Sequence, residues 1–228
     1  MIRKAVILAA GRGTRMGNMT QEIPKPMLEI RGRPMLAHIL DNLRTAGLLE
    51  FLIVTGYHGE TITSYFGEEP GIGFVSQNPV NGTGSAALLA ESFAGNEPFL
   101  LTYGDILCEP VEYSRAIAIQ ADAVVAVKAV DDPWQGAAVY ETQGRITRII
   151  EKPPKGTSTT RWNSAGFYIF RPLVFDYLRR LPLSPRGEYE LPSALEAMLA
   201  DGLDLRISVI EGAWRDVGRP EDLAAMNS

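Results

Sequence analysis

The sequence predicts an α/β fold, a three-layer α/β/α sandwich built on a mixed but mostly parallel central sheet. Three observations predict it. Apolar strand-like segments alternate with amphipathic helical ones along most of the 228 residues, which implies right-handed crossovers between parallel neighbours. The first run, Ala5-Val6-Ile7-Leu8-Ala9-Ala10, is apolar on successive residues, as in a strand covered on both faces. After Ala123 to Val130, a strand, the rhythm breaks into two short strands, Ala137 to Glu141 and Arg145 to Ile150. Gln143-Gly144 between them reads as a hairpin turn, and a hairpin makes the sheet mixed.

The remaining elements follow in order. Pro34 suits a first helical turn, and Leu36, Ile39, Leu40 and Leu43 recur at helical spacing until Gly47 ends the helix. Phe51 to Thr55 is a strand, Glu60 to Phe66 a short helix, and a strand lies near Phe74. A helix over Ser85 to Glu91 and a strand over Phe99 to Tyr103 continue the alternation. Beyond the hairpin come a strand, Ala165 to Phe170, helices over Leu173 to Leu181 and Leu191 to Leu199, a strand, Leu205 to Ile210, and a helix after Pro220. There is no repeat and no low-complexity tract. The polar stretch Lys155 to Thr160 fits a lid or an ordinary surface connection equally. Residues 1–228 are expected to form one domain.

Composition narrows the partners. Twenty-seven acidic side chains against 22 basic ones give a net charge of −5. No Lys/Arg block is present to grip a nucleic acid polymer. Cys108 is the only cysteine, so the sequence holds no disulfide framework and no thiolate cluster; a small buried side chain in a reducing, cytoplasmic setting is expected. Arg3-Lys4 precedes only six apolar residues, too few for a secretory signal, and no stretch approaches membrane-spanning length.

The chemistry concentrates after the first strand, in Gly11-Arg12-Gly13-Thr14-Arg15-Met16 and then Pro24-Lys25-Pro26. Gly11 and Gly13 can take backbone angles closed to other residues and bring main-chain N–H groups close to an anion. Arg12 and Arg15 add planar, multidentate cations, and Lys25 a mobile point charge. A dinucleotide fingerprint would need glycine where Met16 stands, and a Walker loop would need Gly-Lys-Ser/Thr; neither is present. A plain strand-to-loop turn is the remaining alternative. It leaves two arginines at the end of a buried strand without an anion.

Asp105 follows the strand Phe99 to Tyr103 through Gly104, and Asp216 follows a later strand within Trp214-Arg215-Asp216-Val217-Gly218. Open parallel sheets bind ligands at the carboxyl ends of their strands. Two hard oxygen ligands plus substrate phosphates suit Mg2+; a turn former is the alternative for either aspartate alone, and their joint placement weighs against it. His38 and His58 have no ligand cluster around them, and Trp134 and Trp162 are expected to serve hydrophobic packing.

Taken together the chain resembles the sugar-1-phosphate nucleotidyltransferases over nearly its whole length. The matching features are the Gly-x-Gly-Thr-Arg-Met loop, Pro24-Lys25-Pro26, Gln77 with Gly82, Gly104-Asp105, Glu151-Lys152-Pro153, Asn163 to Gly166, and Trp-x-Asp-x-Gly ending at Gly218. The resemblance implies the Rossmann-like nucleotide-diphospho-sugar transferase fold, with nucleotide handled by about residues 1–110 and sugar by about 111–228. It implies that Ala10 and Gly11, with Gly13 and Thr14, hold the nucleotide through the backbone, and that Gln77 and Gly82 read the edge of the base. Arg15 would stabilise the triphosphate, and Lys25 would join the α-phosphate to the incoming sugar phosphate. Asp105 and Asp216 would hold Mg2+. Glu151 would bind sugar hydroxyls, Lys152 the sugar phosphate, and Gly136 and Asn163 the ring.

The expected reaction condenses a nucleoside triphosphate with a sugar 1-phosphate, releasing pyrophosphate. Gln77 and Gly82 favour a pyrimidine, UTP or dTTP. Cytidylyl or guanylyl transfer to phosphocholine, heptose or mannose phosphate is the alternative, and a silent nucleotide-sugar-binding module the third reading. The sequence ends soon after the Pro220 helix, which resembles short family members without an appended β-helix. Met16 to Thr20 and Ile106 depart from the common family pattern, and oligomeric state stays open between monomer and homo-oligomer.

Overall fold

The computed structural model describes residues 2–228. The first half runs β1 (Lys4–Leu8), two 3-10 turns (Thr14–Thr20 and Lys25–Met27), the small hairpin β2 (Glu29–Ile30) and β3 (Arg33–Pro34), α1 (Met35–Thr45), β4 (Glu50–Thr55), α2 (Gly59–Phe66), β5 (Ile72–Ser76), α3 (Thr83–Leu88), α4 (Glu91–Ala94) and β6 (Phe99–Tyr103). The second half runs β7 (Ile106–Cys108), α5 (Pro110–Ala118), β8 (Ala123–Ala129), β9 (Ala137–Thr142), β10 (Arg145–Glu151), β11 (Trp162–Phe170), α6 (Val174–Leu178), α7 (Leu191–Ala200), β12 (Leu205–Val209), β13 (Trp214–Asp216) and α8 (Pro220–Asn227).

The main sheet has the order β5-β4-β1-β6-β11-β8-β12-β10-β9. β1 pairs in parallel with β4 on one side and β6 on the other, so the connections leave its carboxyl end in opposite directions. That is the crevice where open α/β sheets take ligands. β10 and β11 run against the other strands. β9 also pairs with the start of β11, which curls the far end of the sheet back towards the crevice.

Strand alternation explains the three layers. Ala5, Ile7 and Ala9 face one core with Leu36, Leu40 and Leu43 of α1, Phe66 of α2 and Tyr113 of α5. Val6, Leu8 and Ala10 face the other, with Ala86 of α3, Phe175 of α6 and Leu195 of α7. Leu36, Ile39, Leu40 and Leu43 are fully buried. Each contributes roughly 1.5–3 kcal/mol of burial. Among the described residues no helix is long and apolar enough to cross a membrane.

Several expectations shift. Pro34 precedes α1 in an extended conformation rather than opening it. The helix expected over Ser85 to Glu91 is two short ones, α3 and α4. The helix expected from Leu173 is shorter, α6 alone. β11 begins three residues early and bulges between Ser164 and Tyr168, where Gly166 takes φ 81°. The Gln143-Gly144 turn is as expected, with positive φ at both residues (52° and 78°), the signature of a tight hairpin. Trp162 packs against the core, but Trp134 does not; it stands exposed with the Lys155 ammonium 5.4 Å from its ring centre.

Candidate active site

β1 ends at Leu8, and the chain turns across the crevice. Ala10 is braced from β4: its carbonyl accepts from the Tyr57 N–H at 3.1 Å, and Gly56 lies so close that a Cβ there would stand 2.7 Å from that oxygen. Gly13 takes a left-handed conformation (φ 63°), and a Cβ on it would stand 3.0 Å from Lys25 Cβ. Glycine is therefore needed twice over, for the angle and for the close passage of the lysine stem. Thr20 Oγ1 donates to the Gly13 carbonyl at 3.1 Å and Met16 is buried, so the departing sequence Met16 to Thr20 still closes a compact 3-10 loop, broken at Gly17.

Lys25 is buried, and its Nζ donates to Asp105 Oδ2 at 2.5 Å. Asp105 leaves the end of β6 through Gly104. β7 then pairs antiparallel with β13, setting Asp216 opposite Ile106, and the Val217 N–H donates to the Asp105 carbonyl at 3.1 Å. The two aspartates, far apart in sequence, are thus held together by a three-residue ribbon. Ile106 fills space beneath Gly166, where a Cβ would come 2.7 Å from it. Burial first, and then the neighbouring Asp105, push the Asp216 carboxyl above its usual range, while Lys25 and Arg15 pull it down. Arg15 Nη1 and Asp216 Oδ1 flank Gly218, 3.7 and 3.3 Å from where a Cβ would stand.

This pair fits a divalent cation. Asp105 Oδ1 is buried and has no hydrogen-bond partner, and Asp216, whose carboxyl is raised by burial and by the neighbouring Asp105, gains from a positive ion shared with it. No cluster of three or more His, Cys, Asp or Glu side chains suited to a metal occurs among the described residues. Mg2+ commonly takes one or two protein carboxylates and completes its shell with water and substrate phosphates.

On one side of this centre lie Gln77 and Gly82. Gln77 is buried, and its Nε2 donates to the Gly82 carbonyl and to Ser85 Oγ, each at 2.9 Å. Because the carbonyl can only accept, the amide orientation is set, and Oε1 is left as the acceptor on offer. Gly82 is packed against the 189 segment, where a Cβ would stand 2.3 Å from the Tyr189 carbonyl oxygen.

On the other side the curled sheet brings up the remaining candidates. A Cβ on Gly136 would stand 2.4 Å from Asn163 Oδ1, and the Lys152 N–H donates to the Gly136 carbonyl at 2.8 Å. Lys152 takes φ 44°, a conformation that costs a non-glycine residue roughly 1–2 kcal/mol. Glu151 is mostly buried and pairs with Arg186 at 3.3 Å. Burial raises its carboxyl above the ordinary range, against the pull of Lys152 and Arg186.

Ala10, Gly11, Gly13, Thr14, Arg15, Lys25, Gln77, Gly82, Asp105, Gly136, Glu151, Lys152, Asn163 and Asp216 all line one cleft of about 620 Å³. Arg186, Glu190, Tyr103 and Tyr168, which sequence reasoning passed over, line it too. Arg186 donates from Nε to Glu190 Oε1 at 2.8 Å, and Ser184 Oγ donates to the same oxygen at 2.9 Å. Tyr168 exchanges hydrogen bonds with Ser164 Oγ at 2.8 Å and Tyr103 OH at 3.3 Å on the cleft floor. The Arg-x-x-x-Glu spacing was the one sequence signal for the first group; the tyrosines look like ordinary core.

Known proteins resemble this chain over most of its length. Residues 4–228 match the family described as Nucleotidyl transferase. The chain is 35% identical over 230 residues to the Bifunctional protein GlmU of Methanococcus maripaludis strain C5, covering 98% of this chain and 53% of that protein. It thus spans about half the length of that relative. It is 35% identical to the UTP--glucose-1-phosphate uridylyltransferase AglF of Haloferax volcanii, covering 96% of this chain and 93% of the other. A crystal structure of UDP-glucose pyrophosphorylase complexed with UDP-glucose superposes with a TM-score of 0.89 at 25% identity, over 100% of this chain and 97% of that one. With its cations and carboxylates converging where β1 and β6 end, and with the family pattern running from Lys4 to the last residue, the chain belongs to the nucleotidyl transferase family.

Proposed function

We propose that this cleft condenses a nucleoside triphosphate, UTP or dTTP, with a sugar 1-phosphate to give a nucleotide sugar and pyrophosphate. The observation that carries the reading is the convergence of Lys25 and Arg15 on the Asp105–Asp216 pair beside the glycine turn. A phosphate oxygen of the sugar phosphate attacks the α-phosphorus, a new P–O bond forms, and the bond to the pyrophosphate oxygen breaks. Both reactants are anions, so neutralisation and alignment supply most of the barrier reduction. The attacking phosphate is already ionised, so the site needs no nucleophilic side chain and no strong base.

Each residue has a physical task. Gly11, Gly13 and Thr14 offer backbone N–H groups to the phosphates, and Arg15 offsets charge on the departing pyrophosphate. Lys25, in a water-poor position, aligns the α-phosphate with the incoming phosphate. Asp105 and Asp216 would hold a divalent cation, which supplies positive charge to the phosphate oxygens. Gln77 Oε1 is an acceptor suited to the imide N–H of uracil or thymine, and the uridylyl activity named for AglF supports the same base. Glu151 and Asn163 would take sugar hydroxyls, with Lys152 on the sugar phosphate. Pyrophosphate release, measured for UTP, dTTP, CTP, GTP and ATP against glucose, N-acetylglucosamine and mannose 1-phosphates and phosphocholine, tests the reading. Turnover is expected with a pyrimidine triphosphate and a sugar 1-phosphate. Turnover only with phosphocholine, or none with any pair, contradicts it.

A further inference from the structure

The carboxylates that would hold the divalent cation already have cations of their own. Lys25 Nζ stands 2.5 Å from Asp105 Oδ2, on a side chain only 8% exposed. Its stem is held beneath the Gly13 turn, with Cβ and Cδ 3.0 and 3.6 Å from the position of a Gly13 Cβ. Arg15 stands on the other flank, across Gly218 from Asp216. Lys25 and Arg15 offset Asp105 and Asp216 one for one. The next acid in range, Asp222, accepts from the Gly218 and Arg219 N–H groups at 3.0 and 2.8 Å and caps α8. The Asp105–Asp216 pair is therefore matched in formal charge by its two nearest cations before any ligand enters, with Asp222 the weakest of the charges acting on Asp216.

That match has a consequence for metal uptake. A dication added alone would leave net positive charge in a partly buried site, and it would have to displace or face the Lys25 ammonium at contact distance. A triphosphate changes the balance, because its oxygens accept both the metal and the lysine. We propose that Lys25 is the resident counter-cation of the Asp105–Asp216 pair and leaves Asp105 only when a triphosphate accepts it, so that divalent cation and nucleotide enter as one event. The proposal rests on the function proposed above.

Mn2+ serves as the probe, its free concentration read by electron paramagnetic resonance, with and without α,β-methylene-UTP, which cannot react. The unsubstituted protein is expected to bind Mn2+ at least about tenfold more tightly with the analogue than without it. Lys25→Met is expected to bind Mn2+ alone at least about tenfold more tightly than the unsubstituted protein, with a smaller further gain from the analogue. Near-UV circular dichroism checks folding, and Lys25→Gln gives the same reading if the methionine variant does not fold. Neutral Lys25 variants that bind Mn2+ no more tightly than the unsubstituted protein overturn the proposal. Loss of Mn2+ binding in Asp105→Asn and Asp216→Asn, together with an indifferent Lys25→Met, removes the counter-cation role and leaves the function standing. Unchanged Mn2+ binding in both asparagine variants removes the counter-cation role and the assigned metal centre together.

Discussion

Lys25 is a buried ammonium, a state that charged side chains adopt only when paired, and its partner is a carboxylate with one oxygen left over. Such positioned charge is worth far more inside a water-poor cleft than in solvent. Lys25→Ala and Asp105→Asn are each expected to lower turnover by at least about a hundredfold while leaving the fold intact. Steady-state rates on proteins checked by near-UV circular dichroism decide the matter; near-normal turnover in a folded variant takes that residue out of the mechanism. Cys108 is the opposite case. Burial, and then the nearby Glu112, push its thiol up to about 12, so almost no thiolate exists at neutral pH. It should resist an aromatic disulfide reagent at pH 8 in the folded protein and react fully in denaturant. Rapid labelling of the native protein would show that its surroundings open to solvent.

At the scale of elements, what was legible in the sequence is what repeats. β1, β4, β6, α1 and the Gln143-Gly144 hairpin follow from runs, periods and turn chemistry. The ribbon of β7 and β13 was not legible, because three-residue strands carry no period and their pairing is decided by packing, yet this ribbon is what joins Asp105 to Asp216. The placement of both aspartates at strand ends was readable all the same. Arg186 and Glu190 were hidden for another reason: Pro182, Pro185 and Gly187 make their segment look like a loop, and its role is set by contact with distant residues. Gly82 is the point of closest contact, at φ 125° and with no room for a Cβ beneath the Tyr189 carbonyl. Gly82→Ala is therefore expected to destabilise the protein by roughly 2 kcal/mol or more and to raise KM for the triphosphate, readable from urea melts and steady-state kinetics. Arg186→Met should instead raise KM for the sugar 1-phosphate several-fold, about 1 kcal/mol of lost binding, with KM for the triphosphate little changed. Equal effects on both substrates would mean that Arg186 acts on the whole cleft.

Over the whole molecule, a chain of net charge −5 sets Arg12, Arg15, Lys25, Lys152 and Arg186 against Asp105, Glu151, Glu188, Glu190 and Asp216 on one cleft, so the cleft is balanced in formal charge where the chain is acidic. The same cleft buries acids at a cost to stability. Glu151 shows the sign: burial raises its folded pKa above the unfolded value of about 4.3. A raised carboxyl contributes stability that is fully present below the unfolded value and is lost as pH rises through the folded one. At neutral pH Glu151 is therefore a charged, mostly buried group held against its preference. Glu151→Gln removes that charge without stranding Arg186, which keeps its bonds to Glu190. The variant is expected to melt at a higher temperature than the unsubstituted protein at pH 7.5, and the gain should shrink towards zero as pH falls to about 4, where the native glutamate is protonated. Turnover should fall in the same variant, since the carboxylate that burdens the fold is the one proposed to accept sugar hydroxyls. Thermal melts of both proteins across that pH range separate the terms. A lower melting temperature for Glu151→Gln at pH 7.5 would mean that pairing with Arg186 outweighs burial, and that this wall of the cleft is built for stability as well as for binding.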